Sequence, residues 1–199
     1  MHHIHRTKAF VLRNISTKES DAQLILLTAE MGTIRAIVQG SRKTESKHRQ
    51  TVQTYSLIDV ALVSGRTGWR VVNANFIYNF FYEIKNFELR ENICKTINLV
   101  DRLIAGELED AKLFLLTKDF IDFAILNQEK ITHKKILLFE LIFTARILNI
   151  LGYFDEQNFK KNIIEPISLE LIELLQSEDE KYIKNLTIEI NSSLRDSNL

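Results

Sequence analysis

The chain has little cysteine, proline or glycine: one, one and six in 199 residues. With Cys94 alone, no disulfide can close within the chain and no cysteine-based zinc site can form. That fits a reducing compartment. Cys94 lies in an apparently helical stretch (91–102), where a buried, inert thiol is expected. The scarcity of proline and glycine excludes collagen-like and low-complexity segments. No apolar run is long and clean enough for a membrane span. The greasiest stretch, Ile136 to Phe154, is interrupted by Glu140 and Arg146. The first ten residues are polar and lack the apolar region of a signal peptide. A cytoplasmic, nucleoid-associated chain without a membrane partner is expected. P-loop, GxGxxG, HExxH and GxSxG motifs are all missing. No catalytic residue, cofactor or metal ligand is assigned, and the chain is not expected to be an enzyme. His2, His3 and His5 read as a polar, frayed start.

Charge is present but unevenly placed. The chain carries 26 basic and 26 acidic residues. Residues 1–82 hold 11 of the basic and 5 of the acidic ones, leaving 15 and 21 for the rest. A basic first part favours a polyanionic partner, although uneven surface charge without a role gives the same count.

Hydrophobic periodicity divides the chain at about the same place. Lys8–Arg13, Gln23–Thr28, Thr33–Gln39, Tyr55–Val63 and Trp69–Phe76 read as strands. Ile34, Ala36 and Val38 alternate with Thr33, Arg35 and Ile37, the mark of a half-buried strand. Five short strands in some eighty residues fit a small barrel, and on spacing an OB fold and an SH3-like barrel are both open. From Phe87 the period turns helical: Leu89, Ile93, Ile97 and Val100 share one face. Asp110–Leu126 and His133–Leu151 continue the pattern, the latter with Thr132 as N-cap and Gly152 as terminator. Pro166 is expected to open a helix ending at Leu175. Lys181–Leu194 is weakly patterned: strand, short helix and tail all remain open. The class is therefore α+β, an N-terminal five-stranded OB-fold β-barrel (1–82) followed by an all-α helical domain (83–199), with the barrel expected to pack directly on the helices.

The strongest candidate site is the basic segment Gly40–Arg49. Arg42, Lys43, Lys47 and Arg49 can neutralise phosphates and release counterions, which gives affinity without sequence readout. A basic loop is by itself more often a solvated surface segment. Its place just after a strand of an OB-type barrel tilts it towards binding. Arg13, Arg35, Arg66 and Arg70 sit on or beside strands, where arginine can track a backbone or stack on bases. Taken singly, each reads equally as a solvent-facing strand residue. Tyr55 and Trp69 are possible stacking partners or core, and Phe10 is core. Glu140 is expected to reach solvent or a neighbouring helix.

An ordered set of segments resembles the RecO family of DNA repair proteins. It comprises Ala9-Phe10-Val11-Leu12-Arg13, Ser20-Asp21, Leu27-Thr28-Ala29-Glu30-Met31-Gly32, then Ala36-Ile37-Val38-Gln39-Gly40-Ser41-Arg42-Lys43 with Ser46. Phe139-Glu140-Leu141 to Leu151-Gly152-Tyr153 looks like the family's central helix. The resemblance spans roughly residues 7–155. It implies an OB fold joined to a helical bundle, binding of single-stranded DNA, annealing of complementary strands, and help in loading recombinase onto strands coated by single-strand-binding protein. The implied partners are RecR and the C-terminal tail of single-strand-binding protein. By motif match the family's DNA-contacting loop falls on Arg42, Lys43 and Lys47. The four-cysteine zinc module of many members has no counterpart in Phe154–Ile167, and the C-terminal end is short against the family, so contacts made there are expected to be lost. The competing readings are an OB-type RNA-binding factor and an enzyme with an unrecognised site.

Overall fold

The computed structural model describes residues 3–17, 19–41, 43, 45–46, 48–65, 68–104, 111–154, 166–176 and 180–196. Five strands form a closed barrel: β1 (Ile4–Ser16), β2 (Ala22–Thr28), β3 (Gly32–Val38), β4 (Ser56–Gly65) and β5 (Gly68–Asn79). Their order is β1-β2-β3-β5-β4. β3 meets β5 in parallel, and every other pair is antiparallel. This is the Greek-key OB arrangement, and it resolves the OB-versus-SH3 alternative that strand spacing leaves open.

The register follows from alternation. Ala9, Val11, Leu24, Leu26, Ile34, Ala36, Ile58, Val60 and Leu62 fill the barrel interior. Burying each larger aliphatic side chain contributes roughly 1.5–3 kcal/mol. Alternation alone would send Arg13 inward after Ala9 and Val11. A register shift between Val11 and Arg13 prevents this, because a bulge reverses side-chain parity beyond it. The hairpin of β2 and β3 is closed by Thr28, whose hydroxyl donates to the Gly32 carbonyl (2.8 Å) and accepts the Met31 N–H (2.9 Å). That bond pair is the physical content of the Thr-x-x-x-Gly pattern.

The outside of the barrel is not uniformly polar. Phe10 is opposite Leu27 on one side and Leu57 on the other, and all three are buried. The Phe10 ring meets Tyr78 and Phe114 at centroid distances of 6.5 and 5.6 Å. Residues 104–115 accordingly group with residues 1–83 as one compact unit. His5, in β1, is paired with Leu62 of β4 and its ring lies edge-on to Trp69, so at His5 the chain is strand and not the frayed start expected from the sequence; His2 lies outside the described residues.

The second unit comprises residues 84–103 and 116–199. Its helices are α3 (Phe87–Leu103), the later part of α4 (Ala111–Asn127), α5 (His133–Ile150), α6 (Leu169–Gln176) and α7 (Glu180–Asp196); the short α1 (His48–Thr51) and α2 (Phe80–Glu83) belong to the barrel unit. The centre is α5, buried continuously from Leu141 to Leu148 and packed against α3, α6 and α7. Phe120 of α4 stacks on Phe143 at 4.4 Å. Thr132 occupies the N-cap position of α5 but makes no side-chain cap bond. At the other end, Gly152 takes φ 77, and the N–H groups of Gly152 and Tyr153 bond to the carbonyls of Asn149 and Leu148. This terminating turn needs the left-handed region, which glycine enters without a Cβ clash.

In the last third of the chain one sequence expectation is corrected and one open alternative is decided. Pro166 does not open a helix: α6 begins at Leu169, where the Ser168 hydroxyl accepts the Leu171 N–H at 3.0 Å. Ser168 is thus a working N-cap. The undecided segment from Lys181 is the helix α7, with Leu186, Ile190 and Ser193 buried on one face. Asn and Ser residues dilute its apolar stripe, and packing against α5 supplies the stability that propensity lacks.

Candidate nucleic-acid interface

The OB fold offers the outer face of β2 and β3 and the adjoining loops to nucleic acid. Side chains on that face are fixed by the register. Arg13 of β1 is opposite Ile25 of β2, and Ile25 is opposite Arg35 of β3. The two arginines therefore share one row, two strand spacings or about 10 Å apart. One row further along, Ile15, Gln23, Ile37 and Arg70 follow in order across β1, β2, β3 and β5. Arg13, Arg35 and Arg70 are exposed, and Ile15 is 39% exposed. Guanidinium groups on either side of the buried Ile25, next to the row of Ile15, Gln23 and Ile37, suit a strand of nucleic acid, with phosphate neutralised and sugar and base in apolar contact.

The basic segment leaves β3 beside this face. Gly40 takes φ 63, and its N–H is accepted by the Asp21 carboxylate at 2.9 Å. Asp21 also accepts the Ser20 hydroxyl at 3.3 Å. The turn between β1 and β2 is thereby tied to the start of the basic segment, which gives the acidic turn a structural role. Ser41 is buried. Lys43 is exposed, with its N–H bonded to the Gly40 carbonyl and its own carbonyl accepting the Ser46 N–H. Arg49 is exposed on α1. The connection beyond α1 is fastened to β1 on both sides of Arg13: Asn14 Nδ2 donates to the Val52 carbonyl at 2.7 Å, and the Tyr55 N–H donates to the Val11 carbonyl at 2.8 Å.

Of the residues singled out from the sequence, Arg13, Arg35 and Arg70 come together on one face, and Lys43 and Arg49 lie on the connection from β3 to β4. Arg42, Lys47 and Arg66 fall outside the described residues. Trp69 is opposite Ala36 on the inward side and half-buried against the barrel core, so it does not join the arginine face. Tyr55 is stacked on Phe81 and tilted against Phe80. Sequence reasoning missed Ile15, Gln23 and Ile37, whose only signal is their cross-strand position. Glu140, expected to reach solvent or a neighbour, is half-buried and accepts Asn92 Nδ2 of α3 at 2.5 Å.

Residues 1–80 match the family described as "Recombination protein O N terminal". The matched range covers the whole barrel, from Ile4 to Asn79. Residues 1–80 are thus similar to the N-terminal part of RecO proteins. The chain is 36% identical over 80 residues to the DNA repair protein RecO of Alkaliphilus metalliredigens, covering 40% of this chain and 32% of that protein. It is 25% identical over 152 residues to the RecO of Caldanaerobacter subterraneus subsp. tengcongensis, covering 74% and 58%. For the RecO of Chlorobium limicola the figures are 24% over 153 residues, 74% and 56%. The matched part thus spans less than two thirds of each of these relatives. A four-cysteine zinc module does not fit this chain, which has one cysteine. Among the described residues, no three His, Cys, Asp or Glu side chains are grouped to hold a metal ion, and no helix is long and apolar enough to cross a membrane. Residues 155–165, where that module would fall, lie outside the described set.

Proposed function

We propose that the chain binds single-stranded DNA across the outer face of β1, β2, β3 and β5, and acts in DNA repair and recombination. The observation that carries this is the aligned row of Arg13, Ile25 and Arg35, with Arg70 one row on. Three guanidinium groups on a continuous strand face give a sequence-independent track for phosphates, which is what a protein acting on any single strand needs. Lys43 and Arg49 extend the track along the β3–β4 connection, and Arg42 and Lys47, outside the described residues, are added to it on the family motif alone. The likeness to the RecO relatives supports the finer role: annealing complementary strands and assisting recombinase loading onto strands coated by single-strand-binding protein, in the cytoplasm at the nucleoid. RecR and the C-terminal tail of single-strand-binding protein are the proposed protein partners. No catalytic step is assigned.

The test is a salt titration of oligonucleotide binding with matched DNA and RNA single strands. The reading requires tight DNA binding that weakens with salt, with a slope of about −0.7 per phosphate contacted. Clear preference for RNA would transfer the site to an RNA-binding factor. Pull-downs with RecR and with the acidic tail peptide check the partners.

A further inference from the structure

We infer that Tyr82, Phe81 and Tyr55 form a base-stacking platform for single-stranded DNA at the Arg13 end of the arginine face. This rests on the proposed reading of that face and adds a second kind of contact to it. Tyr82 is 58% exposed and Phe81 is 38% exposed, large apolar surfaces that the barrel core does not use. Their arrangement is layered. Phe80 is buried, and Tyr55 lies against it at a centroid distance of 5.0 Å. Phe81 is nearly parallel to Tyr55, at 6.1 Å and 13°, and Tyr82 stands edge-on to Phe81 at 5.5 Å. Asn79 clamps the segment from beneath: its amide donates to the Thr54 carbonyl and the Ser56 hydroxyl, both at 3.0 Å, and its carbonyl oxygen accepts the Phe81 N–H.

The backbone supplies a second, independent observation. Tyr55 has φ 75, the one positive value among the described non-glycine residues. A bulky side chain is strained in that region, and such strain gathers where a side chain must be aimed. Here it is held by the bonds from the Tyr55 N–H to the Val11 carbonyl and from the Phe80 N–H to the Tyr55 carbonyl. The first of these, with the Asn14–Val52 bond, brackets Arg13. The Tyr55 backbone, which carries the aromatic layer, is thus bonded two residues from Arg13 at the β1 end of the cationic row. Every base has a π-face, so a strand whose phosphates follow the arginines can place a base on the aromatic layer whatever its sequence.

The experiment uses the full chain and two probes of equal length, an oligothymidylate and its fully abasic analogue. The Phe81→Ala/Tyr82→Ala double variant is expected to weaken oligothymidylate binding about tenfold, leaving abasic binding and the salt slope unchanged. Tyr82→Phe retains the ring and is expected to retain affinity. Tyr82→Ala alone, at an exposed position, repeats the loss in smaller measure should the double variant not fold. Arg13→Ala/Arg35→Ala/Arg70→Ala is expected to weaken both probes together. Unchanged oligothymidylate binding in the aromatic variants, or an equal loss on both probes, would overturn the platform while leaving the arginine face standing. Unchanged binding of both probes in the arginine variant would remove the face, and with it the reading on which the platform rests.

Discussion

Arg146 of the helical unit and the strand arginines of the barrel differ sharply in burial. On the barrel, Arg13, Arg35 and Arg70 are exposed in adjoining rows of one strand face. In the helical unit, Arg146 is 7% exposed, with its guanidinium 5.2 Å from the centroid of the Phe120 ring. The lysines differ in the same sense. Lys95, Lys118 and Lys135 of the helical unit reach Glu91, Asp122 and Glu173, whereas Lys43 lies exposed on the barrel's basic connection. Arg146 and these three lysines contact partners within their own unit, whereas Arg13, Arg35 and Arg70 lie on one exposed strand face. Residue type therefore says less about binding than the element that carries it.

Substitutions can break this comparison. The largest effect is expected from Arg13→Ala/Arg35→Ala/Arg70→Ala: a roughly hundredfold loss of single-strand affinity at low salt and a salt slope shallower by about 2. Its thermal unfolding should be nearly unchanged, since exposed strand positions contribute within about 0.5 kcal/mol. Arg146→Met should do the reverse. Losing the aromatic contact and the buried hydrogen-bonding capacity is expected to cost about 1–3 kcal/mol in denaturant unfolding, with oligonucleotide affinity retained. Asp21→Ala removes the tie between the β1–β2 turn and Gly40. It should cost about 1 kcal/mol of stability and weaken binding several-fold by loosening the basic connection. Lys118→Ala deletes a half-exposed i,i+4 pair, and about 0.3–0.5 kcal/mol with no change in binding is expected.

Much of the fold is legible in the sequence, because its signals are local. Alternation at Ile34, Ala36 and Val38 places β3, and the spacing of Leu89, Ile93, Ile97 and Val100 places α3. The family resemblance adds the barrel type, which spacing cannot separate from an SH3-like fold. The candidate site is less legible, since it depends on register. Arg13 shares a parity with Ala9 and Val11, and only the bulge after Val11 turns it outward to face Ile25 and align with Arg35. Nothing local announces that bulge. Gln23 and Ile37 become neighbours of Arg70 through the parallel closure of β3 on β5, a contact between residues far apart in the chain. Helix ends fail for a different reason: Pro166 and Ser168 are both acceptable starts, and which one serves is decided by where the helix packs.

The most direct test is an amide NMR titration of the full chain with a short single-stranded oligonucleotide. Shift changes concentrated on Gln23, Ile25, Arg35, Ile37 and Arg70, with α5 silent, are what the arginine face predicts. Changes confined to the helical unit, with β2 and β3 unmoved, would contradict it.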